Sequence, residues 1–582
     1  MQNREIGRCL REFSIFFEME GVDFKPRAFE KAALAVEALD RPVEQIYSEG
    51  GTKALQQIPS IGQGIAERIE ELLKTGQCRE LEKLRHKTPV DVIELALIEG
   101  LGPQKIHALY KTLKVKNVDD LEKAARAGKI HALPHFKEKS EQNILQGIDF
   151  YRQAVARHPI GTVLDIAESI QNRLCAVRGV THVAIAGSIR RRKETIGDFD
   201  VLIASAHPDD AVRAFVELPE VAHVYAKGRT KTLVRLENGM DADLRIVPAK
   251  SFGAALLYFT GSKAHNIAIR RIAQDRKLKL SEYGLFRGRK MIAGLTENQV
   301  YEALDLPFIP PELREDTGEV EAARKGELPH LVVAGDLRGD LQTQTKASDG
   351  TSSIDELIEA ARALGLEYIA ITDHTRDLAM ARGLDEKKLR QQMRDIVALN
   401  AKLHGFRVLS GAEVNIRRDG TLDVDDEALS MLDVVGAAVH SHFDLPREEM
   451  TRRVIKAIEN PNVDILFHPT GRQLSKRAPI DIDMDAVIAA AARTGTILEI
   501  NAQPDRLDLT DAQVRRARDA GVKMTIDSDA HNSGDLRFPR LYGISVARRG
   551  WAAREDIINT LPLGKMLAAL KPRPVARRRK AA

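Results

Sequence analysis

Gly187-Ser188-Ile189-Arg190-Arg191-Arg192-Lys193-Glu194-Thr195-Ile196-Gly197-Asp198-Phe199-Asp200 is the stretch around which the other 568 residues fall into place. An apolar run, Val183 to Ala186, enters a Gly-Ser turn; four cationic residues follow, then two carboxylates one residue apart. Alternate side chains of a strand share a face, so Asp198 and Asp200 are expected side by side, close enough to share metal ions. Val201, Leu202 and Ile203 continue the strand and anchor the pair to a sheet. A glycine turn lets backbone N–H groups approach phosphate oxygens, and arginines supply planar donors for the same anion. Two carboxylates with Mg²⁺ suit the two-metal arrangement for in-line phosphoryl transfer. A third carboxylate is expected from a neighbouring strand, and Asp243, in Asp241-Ala242-Asp243-Leu244-Arg245-Ile246-Val247-Pro248, is the candidate.

The 582 residues are too many for one core, so several domains are expected. Net charge is only +4, from 88 basic and 84 acidic residues, so a nucleic-acid surface must come from local patches. Cys9, Cys78 and Cys175 are scattered without metal-ligand spacing, which suits a reducing cytosol. The charged start, MQNREIGRCLREF, does not read as a signal peptide, and no apolar run approaches the length of a membrane span. The expectation is a cytoplasmic, nucleoid-associated monomer.

Residues 1–150 read as helical, with Ile6, Leu10, Phe13, Phe17 and then Ala28, Ala32, Ala35, Leu39 at helical spacing. An internal repeat lies here. Ile58-Pro59-Ser60-Ile61-Gly62, Ile98-Glu99-Gly100-Leu101-Gly102-Pro103 and Leu133-Pro134-His135-Phe136-Lys137 each precede an amphipathic helix. These look like helix-hairpin-helix units, in which N–H groups at a helix N-terminus meet one DNA phosphate. Gly62, Gly64, Gly100 and Gly102 are the candidate DNA-contacting residues. The third copy lacks both glycines and is expected only to pack.

Residues 331–570 alternate short apolar strands with helices, the pattern of an α/β barrel or open α/β sheet. Metal-type residues sit where strands should end: Asp373-His374, Glu413, His440-Ser441-His442, His468 and Asp527-Ser528-Asp529-Ala530-His531. Ligands at strand ends converge on one barrel face, and imidazole with carboxylate suits Zn²⁺ or Mn²⁺.

GSIRRRKETIGDFD, DADLRIVP and Tyr258-Phe259-Thr260-Gly261-Ser262 together resemble the family X DNA polymerases, the group of polymerase beta. The C-terminal part resembles PHP (polymerase and histidinol phosphatase) phosphoesterases, so the whole resembles bacterial family X polymerases with a fused PHP domain. The fold class implied is multidomain: all-α helix-hairpin-helix domains, an α/β nucleotidyltransferase palm and thumb, and an α/β PHP barrel. The expected division is 1–85 and 86–155 helical, 156–250 palm, 251–318 thumb, 319–330 linker, 331–570 PHP domain and 571–582 a basic, disordered tail. The linker expectation draws on the whole stretch 308–330, rich in proline and charge.

The resemblance also implies roles. Asp198, Asp200 and Asp243 hold Mg²⁺; Gly187, Ser188 and Arg191 hold the triphosphate of a deoxynucleotide. Tyr258 and Phe259 lie along its sugar, with Gly261 beside them, and Asn266 meets the base edge. Lys231 faces the primer strand and Arg270 the template of a gapped or primed DNA. In the PHP domain Asp349, His374, Glu413, His440, His468, Asp529 and His531 match family ligand positions. Three departures stand out. Gln342 and Gln344 replace the family's His-x-His, and a neutral amide oxygen is a much weaker ligand than imidazole. That implies a weakened or lost 3′→5′ exonuclease. Arg68 stands where polymerase beta has a lysine that forms a Schiff base, chemistry a guanidinium does not support. Asp241 replaces an arginine near the primer terminus, which either weakens a phosphate contact or adjusts metal binding. The alternative reading is a phosphoesterase with a vestigial transferase domain. It expects damage at Asp198, Asp200 or Asp243, and all three are intact.

Overall fold

The computed structural model describes residues 3–37, 39, 42–98, 100–133, 136–155 and 157–572. They form two compact units, Met1–Val155 with Ser475–Ala478, and Ala156–Leu474 with Pro479–Ala582. Pro134 and His135 of the third hairpin lie outside the described residues, as does the tail from residue 573.

The first unit is helical throughout, from Asn3–Met19 to Glu138–Val155. Ile6, Leu10, Phe13 and Phe17 are buried as their spacing predicts. In the next helix, Lys25–Glu37, the buried stripe is Phe29, Ala32, Ala33 and Val36, while Ala28 is exposed. The expected stripe is one residue out of phase because Phe29 dictates the buried face, stacking within 5.0–5.3 Å of Phe13 and Phe17. The first two hairpins share one backbone. Ser60 and Gly100 have φ of +66° and +81°, and Gly62 and Gly102 then cap the helices Gln63–Thr75 and Pro103–Leu113 in extended conformation. Ser60 thus holds a geometry that glycine adopts freely. Arg68 is committed elsewhere: it pairs with Glu80 at 2.8 Å and donates to the Gly64 carbonyl at 2.6 Å.

The second unit begins with a five-stranded sheet: β1 Val180–Ile185, β2 Asp198–Ser205, β3 Val221–Lys227, β4 Lys231–Leu236 and β5 Asp241–Val247, in the order β1-β2-β5-β4-β3. The sequence reading places strands at 183–186, 200–204, 232–236 and 244–247, four of these five; β3, largely exposed, escapes it. Helices Phe252–Thr260 and Lys263–Asp275 follow, then a meander of β6 Lys279–Ser281, β7 Gly284–Arg287 and β8 Lys290–Ala293.

Residues 308–330, expected as a tether, are packed in part, at Ile309, Leu313, Arg314, Glu319, Val320 and Ala323. They contain the turn Pro311–Leu313 and the helix Glu319–Lys325. Arg314 and Glu319 have no solvent exposure. Arg314 donates to Glu297 at 2.6 Å, Arg190 holds the same carboxylate at 2.6 and 2.9 Å, and Glu319 accepts from His265 at 2.6 Å. Proline and charge mark a linker only when the charges face water, and here Arg314 and Glu319 find their partners inside while Glu321, Arg324, Lys325 and Glu327 stay exposed.

Burial alone would raise the Glu297 carboxyl, but the two guanidiniums hold it below its ordinary value. Glu297→Ala strands both cations and should cost about 3–5 kcal/mol. In the wild type this contribution is complete above the unfolded carboxyl's pKa of about 4.3 and is lost as pH falls through the depressed folded value. Thermal melts from pH 3 to 7 should therefore show a smaller acid-side loss in the variant.

The barrel has seven parallel strands in sequential order: β9 Gly339–Thr343, β10 Tyr368–Ile371, β11 Arg407–Asn415, β12 Val434–Ala438, β13 Ile465–Leu466, β14 Ile497–Asn501 and β15 Met524–Asp527. Its ends approach: a parallel bridge joins Thr343 to Ala530, and the Leu341 N–H donates to the Asp527 carboxylate at 2.8 Å. No described helix is long and apolar enough to cross a membrane.

Candidate active site and metal centre

β2 and β5 run parallel in a register that pairs Asp198 with Asp241 and Asp200 with Asp243. Two strands thus bring three expected carboxylates to one end of the sheet. The approach costs free energy. Burial, then Asp198 and Asp243, push the Asp200 carboxyl up to about 7. Arg245 at 3.1 Å and Lys231 at 3.6 Å flank Asp243. Lys231, expected at the primer, therefore also faces a carboxylate of the site.

The Gly-Ser turn is one helical turn, Gly187–Arg190. Gly187 has φ +58°, and a Cβ there would sit 2.1 Å from Asp200 Oδ2. The Ser188 hydroxyl is buried without a partner, which suits a phosphate oxygen. Residues and group fit: three carboxylates for divalent cations, an unsatisfied donor beside them. Gly187→Ala should displace Asp200 and lower nucleotide insertion about 100-fold, measured by steady-state kinetics.

The arginines divide their work. Arg190 is spent on Glu297 and on Thr260 Oγ1. Arg191 reaches Thr260 O at 2.5 Å and Glu315 at 2.9 Å, beside Gly261. Tyr258 and Phe259 meet edge to face at 5.0 Å. Arg270 stacks over Tyr258 at 5.2 Å, and Asn266 Nδ2 donates to Tyr258 O at 2.7 Å. These sugar, base and template candidates form one cluster. Asp241 is paired with Arg235 across the β4–β5 ladder at 2.6 Å, so the departure from arginine is accompanied by a cation on the neighbouring strand.

At the barrel's strand ends Asp349, His374 and His531 form one group able to hold a cation, and His374, Glu413 and His440 a second. Buried Glu413 is the centre. Burial raises its carboxyl, but His374, His440 and His468 outweigh this and hold it well below the ordinary range. Its Oε1 accepts from His440 at 2.9 Å and His468 at 2.8 Å. Its Oε2 accepts from Gln342 at 3.0 Å and Gln344 at 2.8 Å. Asp529 accepts from Asn501 at 3.1 Å and lies 3.5 Å from Arg506. Amide donors of Gln342 and Gln344 thus face Glu413, and the amide of Asn501 and the guanidinium of Arg506 face Asp529. Sequence reading missed Arg506, Glu297 and Glu315, because their partners lie far away in the chain.

The comparisons agree with this architecture. Family models match a helix-hairpin-helix domain over residues 1–78, a SAM-like helix-hairpin-helix tandem over 92–149, the DNA polymerase beta thumb over 255–315 and a PHP domain over 340–493. The chain is 38% identical to the DNA polymerase/3′-5′ exonuclease PolX of Bacillus subtilis over 98% of its own length and 100% of the relative's. Rat DNA polymerase lambda is 27% identical over 54% of this chain and 56% of that protein. A probable phosphatase of Thermoanaerobacter is 31% identical over 40% of this chain and 94% of its own. With a polymerase thumb ahead of a PHP barrel and near-complete correspondence to a PolX, the chain belongs to the family X DNA polymerases that carry a C-terminal PHP domain.

Proposed function

We propose that this DNA polymerase fills short gaps during DNA repair by template-directed nucleotidyl transfer, with a PHP domain whose exonuclease is weakened or lost. The observation that carries the first part is the β2–β5 register: it sets Asp200 beside Asp243, next to Gly187 and the unsatisfied Ser188 hydroxyl. Asp198, Asp200 and Asp243 would hold Mg²⁺, which would supply positive charge to a deoxynucleoside triphosphate and to the primer 3′-hydroxyl. Ser188 and Arg191 bind and orient the triphosphate by charge-assisted hydrogen bonds. Tyr258 and Phe259 line the sugar, Asn266 the base edge, Lys231 the primer and Arg270 the template. The hairpins at Gly62–Gly64 and Gly100–Gly102 fix the duplex through phosphates without reading sequence. Catalysis is then positioning plus charge stabilisation.

The second part rests on Gln342 and Gln344. Each amide donates to Glu413, and an amide that donates offers no imidazole lone pair to Zn²⁺ or Mn²⁺. The remaining ligands still form two groups, so the centre is depleted rather than erased. Arg68 is engaged by Glu80, and its guanidinium does not support Schiff-base lyase chemistry at that position.

Extension of a gapped duplex tests it, with Mg²⁺ and then Mn²⁺, and with Asp198→Ala as control. Template-matched insertion that Asp198→Ala removes supports the reading. A protein that inserts nothing, or inserts without a template, is not this polymerase.

A further inference from the structure

We propose that the barrel positions the triphosphate arginine of the palm: Arg549 holds Glu315 and the Arg191 main chain so that the Arg191 guanidinium is set before a nucleotide arrives. The inference rests on the reading of Arg191 as a triphosphate ligand.

Arg549 ends the helix Ile544–Arg549 and its side chain is 4% exposed. Its Nη1 donates to Arg191 O and to Glu315 Oε1, each at 3.1 Å, and its Nη2 donates to Asp511 of the barrel. Glu315 Oε1 also accepts from Arg191 Nε at 2.9 Å. One carboxylate oxygen thus joins a barrel guanidinium to a palm guanidinium. Burial raises the carboxyls of Glu315 and Asp511, but the surrounding cations outweigh it, chiefly Arg191 at Glu315 and Arg549 at Asp511.

The same loop is gripped at its far end. Arg472 of the barrel holds the Glu194 carboxylate with two nitrogens, at 3.2 and 2.6 Å. A third barrel cation, Arg548, donates to Glu312 at 2.8 Å. Three barrel arginines therefore meet three carboxylates from the polymerase part, and Arg549 at Arg191 O and Arg472 at Glu194 bracket the cationic loop.

A free arginine side chain samples many rotamers, and a ligand must otherwise remove that entropy on binding. Fixing Arg191 in advance lowers that cost, and the effect belongs in nucleotide affinity rather than in the chemical step. It also gives the barrel work that does not depend on its metal centre.

Single-nucleotide insertion on a gapped duplex, with the full-length protein, decides the matter. The variants are Arg191→Ala, Arg549→Ala, Arg549→Lys, Glu315→Gln and the Arg191/Arg549 double alanine. The expected result is a KM for the nucleotide raised about tenfold in Arg549→Ala, with kcat within about threefold and DNA affinity unchanged. Arg549→Lys should fall between. The double variant should be no worse than Arg191→Ala alone, because Arg549 acts through Arg191. Should Arg549→Ala fold poorly, Glu315→Gln keeps the shape and is expected to raise KM in the same way. A wild-type KM in both Arg549→Ala and Glu315→Gln, or penalties that multiply in the double variant, overturns the proposal while leaving the palm site intact. A wild-type KM in Arg191→Ala removes the reading beneath it, and both fall.

Discussion

Replacing Asp200 with asparagine is expected to lower nucleotide insertion about 10³- to 10⁴-fold while making the metal-free protein more stable. The two effects share one origin. Asp200 is pushed up to about 7 by burial and by Asp198 and Asp243, so its charge is tolerated only when cations compensate it. Asparagine keeps the shape and removes the charge, but its neutral amide is a poor ligand for Mg²⁺. The folded-state value lies above the unfolded value of 3.8, so the native state holds its proton longer than the unfolded chain. The penalty is absent below that unfolded value and grows as pH rises toward 7. At pH 8 without metal, the variant should gain on the order of 4 kcal/mol. Melting curves at about pH 3.5, 5 and 8, with EDTA, should show no gain at the lowest pH, a partial gain at pH 5 and the full gain at pH 8. Insertion above a tenth of the wild-type rate would sink the assignment of Asp200 to the reacting centre.

Restoring histidine at both Gln342 and Gln344 should raise Mn²⁺-dependent removal of a 3′-terminal nucleotide by about 100-fold or more. The site is otherwise nearly complete: His374, His440 and His468 already face Glu413, and Asp349 faces His374 and His531 at 3.5 and 3.6 Å. What the two amides contribute is donation to Glu413 Oε2, where a cation would need acceptors. Metal analysis of the purified double variant should find about one more equivalent bound than in wild type. Adding His440→Ala should cancel the gained degradation. If the wild type itself degrades primers briskly and His440→Ala stops it, the amides are not the impediment argued for here.

Much of the palm could be read from residue spacing. The Asp198–Asp200 pair follows from the two-residue period of a strand, and Asp243 from its own apolar run. The register that sets Asp200 opposite Asp243 could not, because strand pairing is a long-range fact. The same limit hides Glu297 between Arg190 and Arg314, and Arg549 beside Arg191. Local pattern also misleads in the second helix, where it puts Ala28, Ala32, Ala35 and Leu39 on the buried face and the aromatic contacts of Phe29 bury the face beside it. The partner of Asp241, Arg235 on the adjacent strand, is likewise out of reach of local pattern.

The interior position of Arg314 and Glu319 bears on how the molecule can be divided. A cut between residues 308 and 319 would leave Glu297 in one fragment without Arg314 when made before Arg314, and His265 without Glu319 when made between Arg314 and Glu319. Either fragment would carry a freshly bared ionic group that water must solvate. Polymerase and barrel expressed as separate pieces from such a cut are thus poor proxies for the activities they show when joined, and complementation in trans would have to rebuild a dry ionic seam from two solvated surfaces.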